Sequence, residues 1–310
     1  MASTIEQLSA TERLERRIAL FVVFTPLVGV FAAIVLLWGW GVGIVDLLLL
    51  ITFYAITALG ITAGFHRYFT HKSFETYTPV KLFLGISGCM AAQGPIIYWS
   101  AIHRRHHQHS DQENDPHSPH TTGESIWEHI QGFWHAHVGW MLNHDSTDWI
   151  RIVRDLVRDR WVMWMNRNYF LWLLLSLLLP AALGGLLTWS WFGALTGFIW
   201  GGLVRIFLVH HTTWSINSIC HLFGSKPFNT GDESRNNFLC ALFAFGEGWH
   251  NNHHAFPSSV RHGLYWWQID TTFILIWMLE KVGLAWNLKY PKEETLATRQ
   301  QQGMTQPKAA

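Results

Sequence analysis

The chain has 310 residues, of which 14% are charged and 49% are hydrophobic, whereas an average soluble domain is about 25% charged. A formal net charge of +1 excludes a basic nucleic-acid-binding surface, and the apolar composition excludes a disordered chain. Three cysteines without CxxC spacing argue against a disulfide framework and a thiolate metal site. The 19 histidines nearly equal the 22 lysines and arginines, which is the unusual feature of this composition.

Four stretches of the chain are almost free of charge and long enough to cross a bilayer, which requires about 20 helical residues. They predict membrane helices over residues 19–40, 44–65, 168–188 and 191–211. Gly41 and Gly43 separate the first pair of helices. Arg205 falls in the predicted last turns of the fourth helix, where its long side chain can snorkel to the interface.

The remaining segments are predicted to lie outside the bilayer. The apolar segment 80–101 is interrupted by glycine and proline, which favours an interfacial or re-entrant helix over a fifth crossing. Segment 110–168 is predicted to form a soluble cap, and 295–310 a flexible tail. The expected fold is one all-α integral membrane domain over 1–310, with four transmembrane helices and a cytosolic helical cap that holds a di-metal site.

Lysines and arginines are unevenly distributed between the predicted loops. They cluster in residues 1–18 and in the segment 66–167, whereas the turns 40–43 and 188–190 contain none. Under the positive-inside rule, this distribution predicts a multi-pass protein whose termini and long central segment are cytoplasmic.

Eight histidines form three clusters along the chain. They are His66 and His71; His103, His106 and His107; and His250, His253 and His254. Positions i, i+3 and i+4 share one helical face, so each of the two later clusters can direct three imidazoles at one point. The i, i+5 pair fits an irregular helix end, which Gly64 permits. Two predicted crossings separate the later clusters, so all eight histidines can meet on one side.

Eight imidazoles without a thiolate point to metal chemistry other than structural zinc. A closed zinc site has four ligands that usually include cysteine, whereas neutral histidine suits Zn, Cu, Fe and Ni. Eight ligands are too many for one metal ion and sufficient for two ions that each keep an open position. Two metal ions with open positions and no thiolate ligands favour dioxygen chemistry at iron over a structural zinc site.

The histidine clusters and their flanks resemble the membrane fatty acid desaturases, in particular the stearoyl-CoA (Δ9 acyl-CoA) desaturase branch. The resemblance covers roughly residues 20–290. It rests on HRYFTH from His66, HRRHHQHSD from His103, GEGWHNNHH from Gly246, DPH from Asp115, HVGW from His137, NSICHLFG from Asn217 and SRN from Ser234. It implies a di-iron centre that uses O₂ and two electrons to insert a cis double bond, at Δ9, into a saturated acyl chain. It also implies a ninth ligand, His221, and a contact through water from Asn217.

The resemblance further implies a fatty acyl substrate, for which a CoA thioester is the preferred carrier and an acyl carrier protein and a glycerolipid are the alternatives. It also implies a separate electron donor, which can be a ferredoxin, a cytochrome or a flavoprotein. Candidate tunnel-lining residues, by resemblance, are Gln93, Trp99, Thr213 and Trp214. Candidate cations for the head group are Arg104, Arg105, Lys226, Arg235 and Arg261. Carboxylates that could orient the imidazoles are Asp111, Asp115, Asp232, Glu233 and Glu247, among which spacing does not choose.

Two other functions compete with desaturation. A His-box membrane hydroxylase or alkane monooxygenase shares the di-iron chemistry, but the HxxHH spacing and the Asn217–His221 element favour desaturation. A metal transporter requires polar groups within the crossings, which are nearly absent here. The ten histidines predicted to bind no metal are His109, His117, His120, His129, His135, His137, His144, His210, His211 and His262.

Overall fold

The structure is a computed structural model that describes residues 10–120, 123, 125–143 and 148–304. Its first eight helices are α1 (Ala10–Trp40), α2 (Ile44–Leu59, continued by a π-helix at Gly60–Thr70), α3 (Thr78–Cys89), α4 (Ile96–His109), α5 (Ile126–His137, followed by a 3-10 turn at Gly139–Leu142), α6 (Trp149–Ile152), α7 (Arg154–Val157) and α8 (Arg160–Arg167). The others are α9 (Tyr169–Thr188), α10 (Trp191–Gly197, continued by a π-helix at Phe198–Val204), α11 (Arg205–Leu222), α12 (Phe238–Phe243), α13 (His250–Ala255), α14 (Thr271–Lys281) and α15 (Glu293–Met304).

Four helical segments among the described residues are long and apolar enough to cross a membrane. They are Arg16–Trp40, Ile44–Thr70, Tyr169–Thr188 and Trp191–Leu222. Their outer faces expose large apolar side chains, for example Phe31 at 68% and Leu186 at 62%, as expected for contact with lipid. The prediction of four membrane helices is confirmed, and the second and fourth extend further than the sequence indicated.

The interrupted segment 80–101 forms two short helices rather than a fifth span. Helix α3 ends at Cys89, and α4 begins at Ile96 after Pro95. Helix α3 lies against the second span, where a Cβ on Gly60 would lie 2.2 Å from the backbone nitrogen of Gly88. Only glycine permits this approach, so the pair of helices is held beside the span and positions α4 for the site.

The prediction for Arg205 is wrong. Its side chain is fully buried and does not reach an interface, because the fourth span continues without a break to Leu222. The guanidinium donates to the carbonyl oxygens of Gly201, Met90 and Ser176 at 2.8–3.1 Å, and to the Ser176 hydroxyl at 2.6 Å. These four acceptors satisfy a cation inside the bundle, where an unpaired one would be costly.

The short helices collect at one end of the four spans, where the second and fourth spans end at Thr70 and Leu222. A two-residue antiparallel ladder, β1 (Glu75–Thr76) with β2 (Ala285–Trp286), ties the segment after the second span to the C-terminal region. Helix α15 occupies 293–304, where the sequence predicted a flexible tail, and the Arg299 side chain donates to the carbonyl oxygen of Ala255. Residues 305–310 lie outside the described part of the chain.

Candidate metal centre

The end of the second span brings its two histidines to one face. From Gly60 to Thr70 the helix is a π-helix, and the backbone N–H of His71 donates to the carbonyl oxygen of His66 at 3.0 Å. This i→i+5 hydrogen bond defines a π turn, in which residues five apart lie above one another. The two imidazole centroids are therefore only 4.8 Å apart. The predicted irregular helix end is confirmed.

Helices α4 and α13 carry the two HxxHH clusters. Helix α4 contributes three imidazoles from its C-terminal half. Helix α13 has only six residues and begins at His250, and it contributes three more. All three histidines of α13 are buried. The fourth span adds His221, which lies one turn after Asn217 in the same continuous helix rather than beyond its end.

The structure brings the nine predicted ligand histidines into two groups. Five of them form the first cluster: His66, His71, His103, His107 and His253. Four form the second cluster: His106, His221, His250 and His254. Chain neighbours enter different clusters, since His106 and His107 separate, as do His253 and His254. The two clusters are therefore adjacent.

The spacing of the ring nitrogens suits metal coordination. All nine histidines direct Nε2 inward, and the nearest Nε2 pairs are 2.8–3.1 Å apart in the first cluster and 3.0–3.3 Å in the second. Two nitrogens bound at right angles to one ion, each at about 2.1 Å, lie about 3 Å apart. The donor set thus fits two metal ions ligated by imidazole, without a thiolate.

Carboxylates hold the opposite nitrogen of four of these rings. The pairs, measured from Nδ1 to the nearest oxygen, are His66–Glu247 at 2.5 Å, His254–Asp232 at 2.7 Å, His221–Asp111 at 2.8 Å and His106–Asp115 at 3.0 Å. Such contacts fix the tautomer that leaves Nε2 free for a metal. Glu233, the fifth candidate, instead pairs with Lys226 at 3.0 Å and Arg235 at 2.9 Å.

A buried ion network that the sequence analysis missed holds Glu247. The fully buried Arg67 donates to Glu247 at 2.9 Å and to Asp270 at 2.9 Å, and Nδ1 of His262 lies 3.3 Å from Glu247. A Cβ on Gly246, where φ is +109°, would lie 2.4 Å from the Asp270 carboxylate, so glycine is required there. The adjacency of Arg67 to His66 was the only indication in the sequence.

The electrostatics of the site favour neutral imidazoles. Burial first, and then the positive charge of neighbouring imidazoles, lowers the pKa of His71 and His107 well below the ordinary value. Burial also lowers the pKa of His254 to about 4, although Asp232 opposes the shift. Burial acts in the same direction at His106, but the charge of Asp115 outweighs it and raises the pKa. Neutral histidine is the form that binds a metal.

A cavity of about 860 Å³ leads to the metal centre. His103 of the first cluster lines it, together with Asn217, Asp115 and His117. Its wall is predominantly apolar and aromatic, and its volume lies within the usual range for a ligand site. The predicted water-mediated contact of Asn217 remains a prediction, but the residue does face this cavity.

The four candidate tunnel residues all line this cavity. The Gln93 amide donates to the Thr213 hydroxyl at 2.5 Å and accepts from the Trp99 indole at 3.3 Å. The Trp99 ring stacks on His103 with centroids 5.1 Å apart. A polar clasp therefore joins α4 to the fourth span next to the metal centre, beside the buried Trp214.

The candidate head-group cations have other partners. Arg104 donates to Asp155 at 2.6 and 3.1 Å and to the carbonyl oxygens of Phe69 and Thr70, so it positions α4. Lys226 and Arg235 share Glu233, as described above. The Arg261 guanidinium lies 5.5 Å from the centroid of the Phe273 ring.

Arg105 differs from these cations because it lines the cavity, where it donates to the carbonyl oxygen of Asn114 at 2.9 Å. Among the other histidines, His210 contacts the carbonyl oxygens of Ala91 and Ala92 at 3.0 Å. Nε2 of His137 lies 3.0 Å from Nδ1 of His211. His144 lies outside the described residues.

Known proteins are similar in sequence to this protein over most of its length. Residues 44–290 match the family model described as fatty acid desaturase. A hex-5-enoyl-[acyl-carrier protein] acetylenase of Moorena producens (strain JHB) is 46% identical over 276 residues, which are 88% of this chain and 86% of that protein.

Two further relatives are named as desaturases. An sn-1 stearoyl-lipid 9-desaturase of Anabaena variabilis is 40% identical over a region that covers 77% of this chain and 82% of that protein. An icosanoyl-CoA 5-desaturase of Limnanthes douglasii is 41% identical over a region that covers 77% of this chain and 64% of that protein. With its nine histidines in two clusters and this extent of similarity, the chain belongs to the fatty acid desaturase family.

Proposed function

We propose that the protein is an oxygen-dependent fatty acyl desaturase that inserts a cis double bond, at Δ9, into a saturated acyl chain. The observation that carries the proposal is the apolar cavity that ends at His103 and Asn217, beside two clusters of imidazoles. The nine histidines are the proposed ligands of two iron ions, with Asn217 contributing through water.

An unactivated methylene has no acidic proton, so acid–base side chains alone cannot remove its hydrogens at neutral pH. Two iron ions, when bound, would supply the oxidising chemistry: one O₂, two external electrons and two protons take two hydrogens from the chain, which leaves a double bond and forms two molecules of water. The protein binds the chain and presents one carbon pair to the metal centre. Because a saturated chain offers no polar group near its middle, the length and shape of the cavity must set the position.

The clasp of Gln93, Thr213 and Trp99 supports this role. It fixes the cavity wall next to His103. The Trp99 indole and the Gln93 amide use their hydrogen-bonding groups within the clasp rather than directing them at the acyl chain. The apolar surface that remains excludes water from the reacting carbons. The electron donor is proposed to be a separate ferredoxin, cytochrome or flavoprotein.

Analysis of the product tests the proposal against the oxygenases. Membranes that contain the protein are supplied with a stearoyl substrate, O₂ and reduced ferredoxin, and the products are analysed by mass spectrometry. We expect a cis-Δ9 alkene that is absent from the His107→Ala variant, which still inserts in the membrane. A hydroxylated product would contradict desaturation, and a triple bond made from an alkene substrate would indicate an acetylenase.

A further inference from the structure

Helix α5 exposes large apolar side chains along one side. Ile126 is 82% exposed, Trp127 65%, Ile130 52% and Trp134 54%. Because successive residues of a helix turn by about 100°, these four side chains lie within a single arc of about 100° on its surface. We call them the α5 stripe. A contiguous apolar surface with two indole rings marks a contact with lipid or with another protein.

The opposite side of α5 packs on the rest of the protein. Gly132 and Ala136 are the buried residues of the helix. Nε2 of His137, the last residue of α5, lies 3.0 Å from Nδ1 of His211 in the fourth span. The helix is therefore held against the fourth span, and its stripe faces outward.

The end of α5 meets the molecule at the edge of the bilayer. Val138, which directly follows the helix, forms one apolar cluster with Val23 of the first span and Trp214 of the fourth. At 1.5 Å per residue, Val23 lies about 26 Å along the first span from its end at Trp40. A hydrocarbon core is about 30 Å thick, so Val138 lies close to its boundary on the metal-centre side. Phe24 of the first span is exposed at the same level, and the α5 stripe continues this lipid-facing surface.

The composition of α5 suits a helix that lies in the surface of a bilayer. Its polar side consists of Glu128, Gln131 and His135, and helices with one apolar and one polar side bury the apolar side about 5–10 Å into the boundary between head groups and acyl chains. Tryptophan is enriched at this level of membrane proteins. Helix α5 contains no lysine or arginine, so burial of apolar surface, rather than attraction to anionic head groups, must hold it there.

We propose that α5 is an interfacial anchor whose stripe inserts into the bilayer surface on the metal-centre side. His135 of α5 and Met141 in the turn after it line the cavity. Contact of the stripe with lipid therefore holds one wall of the cavity in place at the membrane surface. This contact does not depend on the reaction that the protein catalyses, so its tests need no turnover.

The first experiment measures the environment of the stripe with spin labels. Single nitroxides are attached to Ile130→Cys and Trp134→Cys on the stripe and to Gln131→Cys on the polar side, since the three native cysteines are buried. The full chain is placed in phosphatidylcholine nanodiscs, and collisions with O₂, which dissolves in lipid, are compared with collisions with a water-soluble nickel chelate. We expect O₂ to exceed the chelate at least threefold at Ile130 and Trp134, and the reverse at Gln131.

The other outcomes of this experiment contradict the proposal. More collisions with the nickel chelate than with O₂ at Ile130 would place the stripe in water. Few collisions with either reagent would show that protein covers the stripe, such as a second copy of this chain. The same preference for O₂ at Gln131 would show that the helix does not lie with one side in lipid.

The second experiment uses the sign of a stability change. Ile130→Gln should lower the thermal midpoint in the same nanodiscs by about 2 °C or more, because the amide replaces an apolar contact with lipid. Ile51→Gln is the matched substitution at an isoleucine of the second span that is 64% exposed, and it sets the size of the loss in lipid. An unchanged or higher midpoint in Ile130→Gln, beside a lower one in Ile51→Gln, is the result of a side chain in water and would overturn the proposal.

Discussion

Oε2 of Glu247 lies 2.5 Å from Nδ1 of His66, while Oε1 of the same carboxylate accepts from Arg67 at 2.9 Å. The buried Glu247 carboxylate thus links the His66 imidazole of the first cluster to the guanidinium of Arg67, the next residue in the chain. Asp270 holds the other side of that cation at 2.9 Å. The network fixes the orientation of the His66 ring before any metal binds.

Replacing Glu247 tests this link. Glu247→Gln keeps the shape of the side chain and removes its charge, so we expect metal affinity of the first cluster to fall by about 10- to 100-fold. The measurement is a chelator titration that follows iron retained by the purified protein. Glu233→Gln is the control, because Glu233 contacts Lys226 and Arg235 and should not alter retention. Wild-type retention in Glu247→Gln would argue against a positioning role.

The clasp beside the metal centre makes a prediction about the position of the double bond. Thr213→Val removes the hydroxyl that accepts from Gln93, so the cavity wall loosens next to His103. We expect kcat/KM to fall roughly tenfold or more and the double bond to spread over neighbouring carbons.

Thr212→Val is the matched control for this prediction. It is the same substitution one residue earlier, at a hydroxyl that accepts from Tyr54 and does not line the cavity. A single Δ9 product at the wild-type rate from Thr213→Val would show that the clasp does not position the chain.

The sidedness of the membrane fold can be tested with single cysteines. All three native cysteines are buried, whereas Trp191 is 94% exposed at the turn between the third and fourth spans. An impermeant maleimide added to intact cells should label Trp191→Cys and leave Gln108→Cys, at the metal-centre end, unlabelled until the cells are opened. The reverse pattern would place the metal centre outside the cytoplasm.

The histidine pKa values predict how the stability of the metal-free protein depends on pH. Burial holds the pKa of His71, His103, His107 and His250 well below 6.5, so these groups stay neutral when folded. Their unfolded forms take up protons as the pH falls below 6.5, so the stability present above that pH is lost below it. His106, whose pKa is raised, has the opposite effect.

We therefore expect the thermal midpoint of the chelator-treated protein in detergent to fall by several degrees between pH 7.5 and 5.5. The carboxylates of the site change their protonation, and with it the stability, only at lower pH. Burial raises the pKa of Glu247 and Asp115, but their histidine partners outweigh burial and hold the pKa below the ordinary range. A midpoint that is constant or rises over this interval would contradict the assignment of neutral buried imidazoles.

The sequence predicted the parts of the site that depend on local periodicity. HxxHH on a helix places three rings on one face, and four charge-poor stretches of suitable length predict four spans. His221 is a single histidine without local spacing, so only its resemblance to a family motif identified it. The division into two clusters depends on the packing of α4 against α13, which no local pattern encodes.

The carboxylate partners were unpredictable for the same reason. Asp111, Asp232 and Glu247 lie outside the helices, and tertiary structure brings each to a different ring. Arg205 was misplaced because the fourth span continues to Leu222, past its predicted end, and leaves the arginine inside the bundle.

The number of iron ions per chain tests the two-cluster account most directly. Iron in the purified protein is measured beside protein concentration for the wild type, for His71→Ala in the first cluster and for His250→Ala in the second. We predict two ions per chain in the wild type and about one in each variant. One ion in the wild type, or two retained by both variants, would contradict the claim that these histidines hold two metal ions.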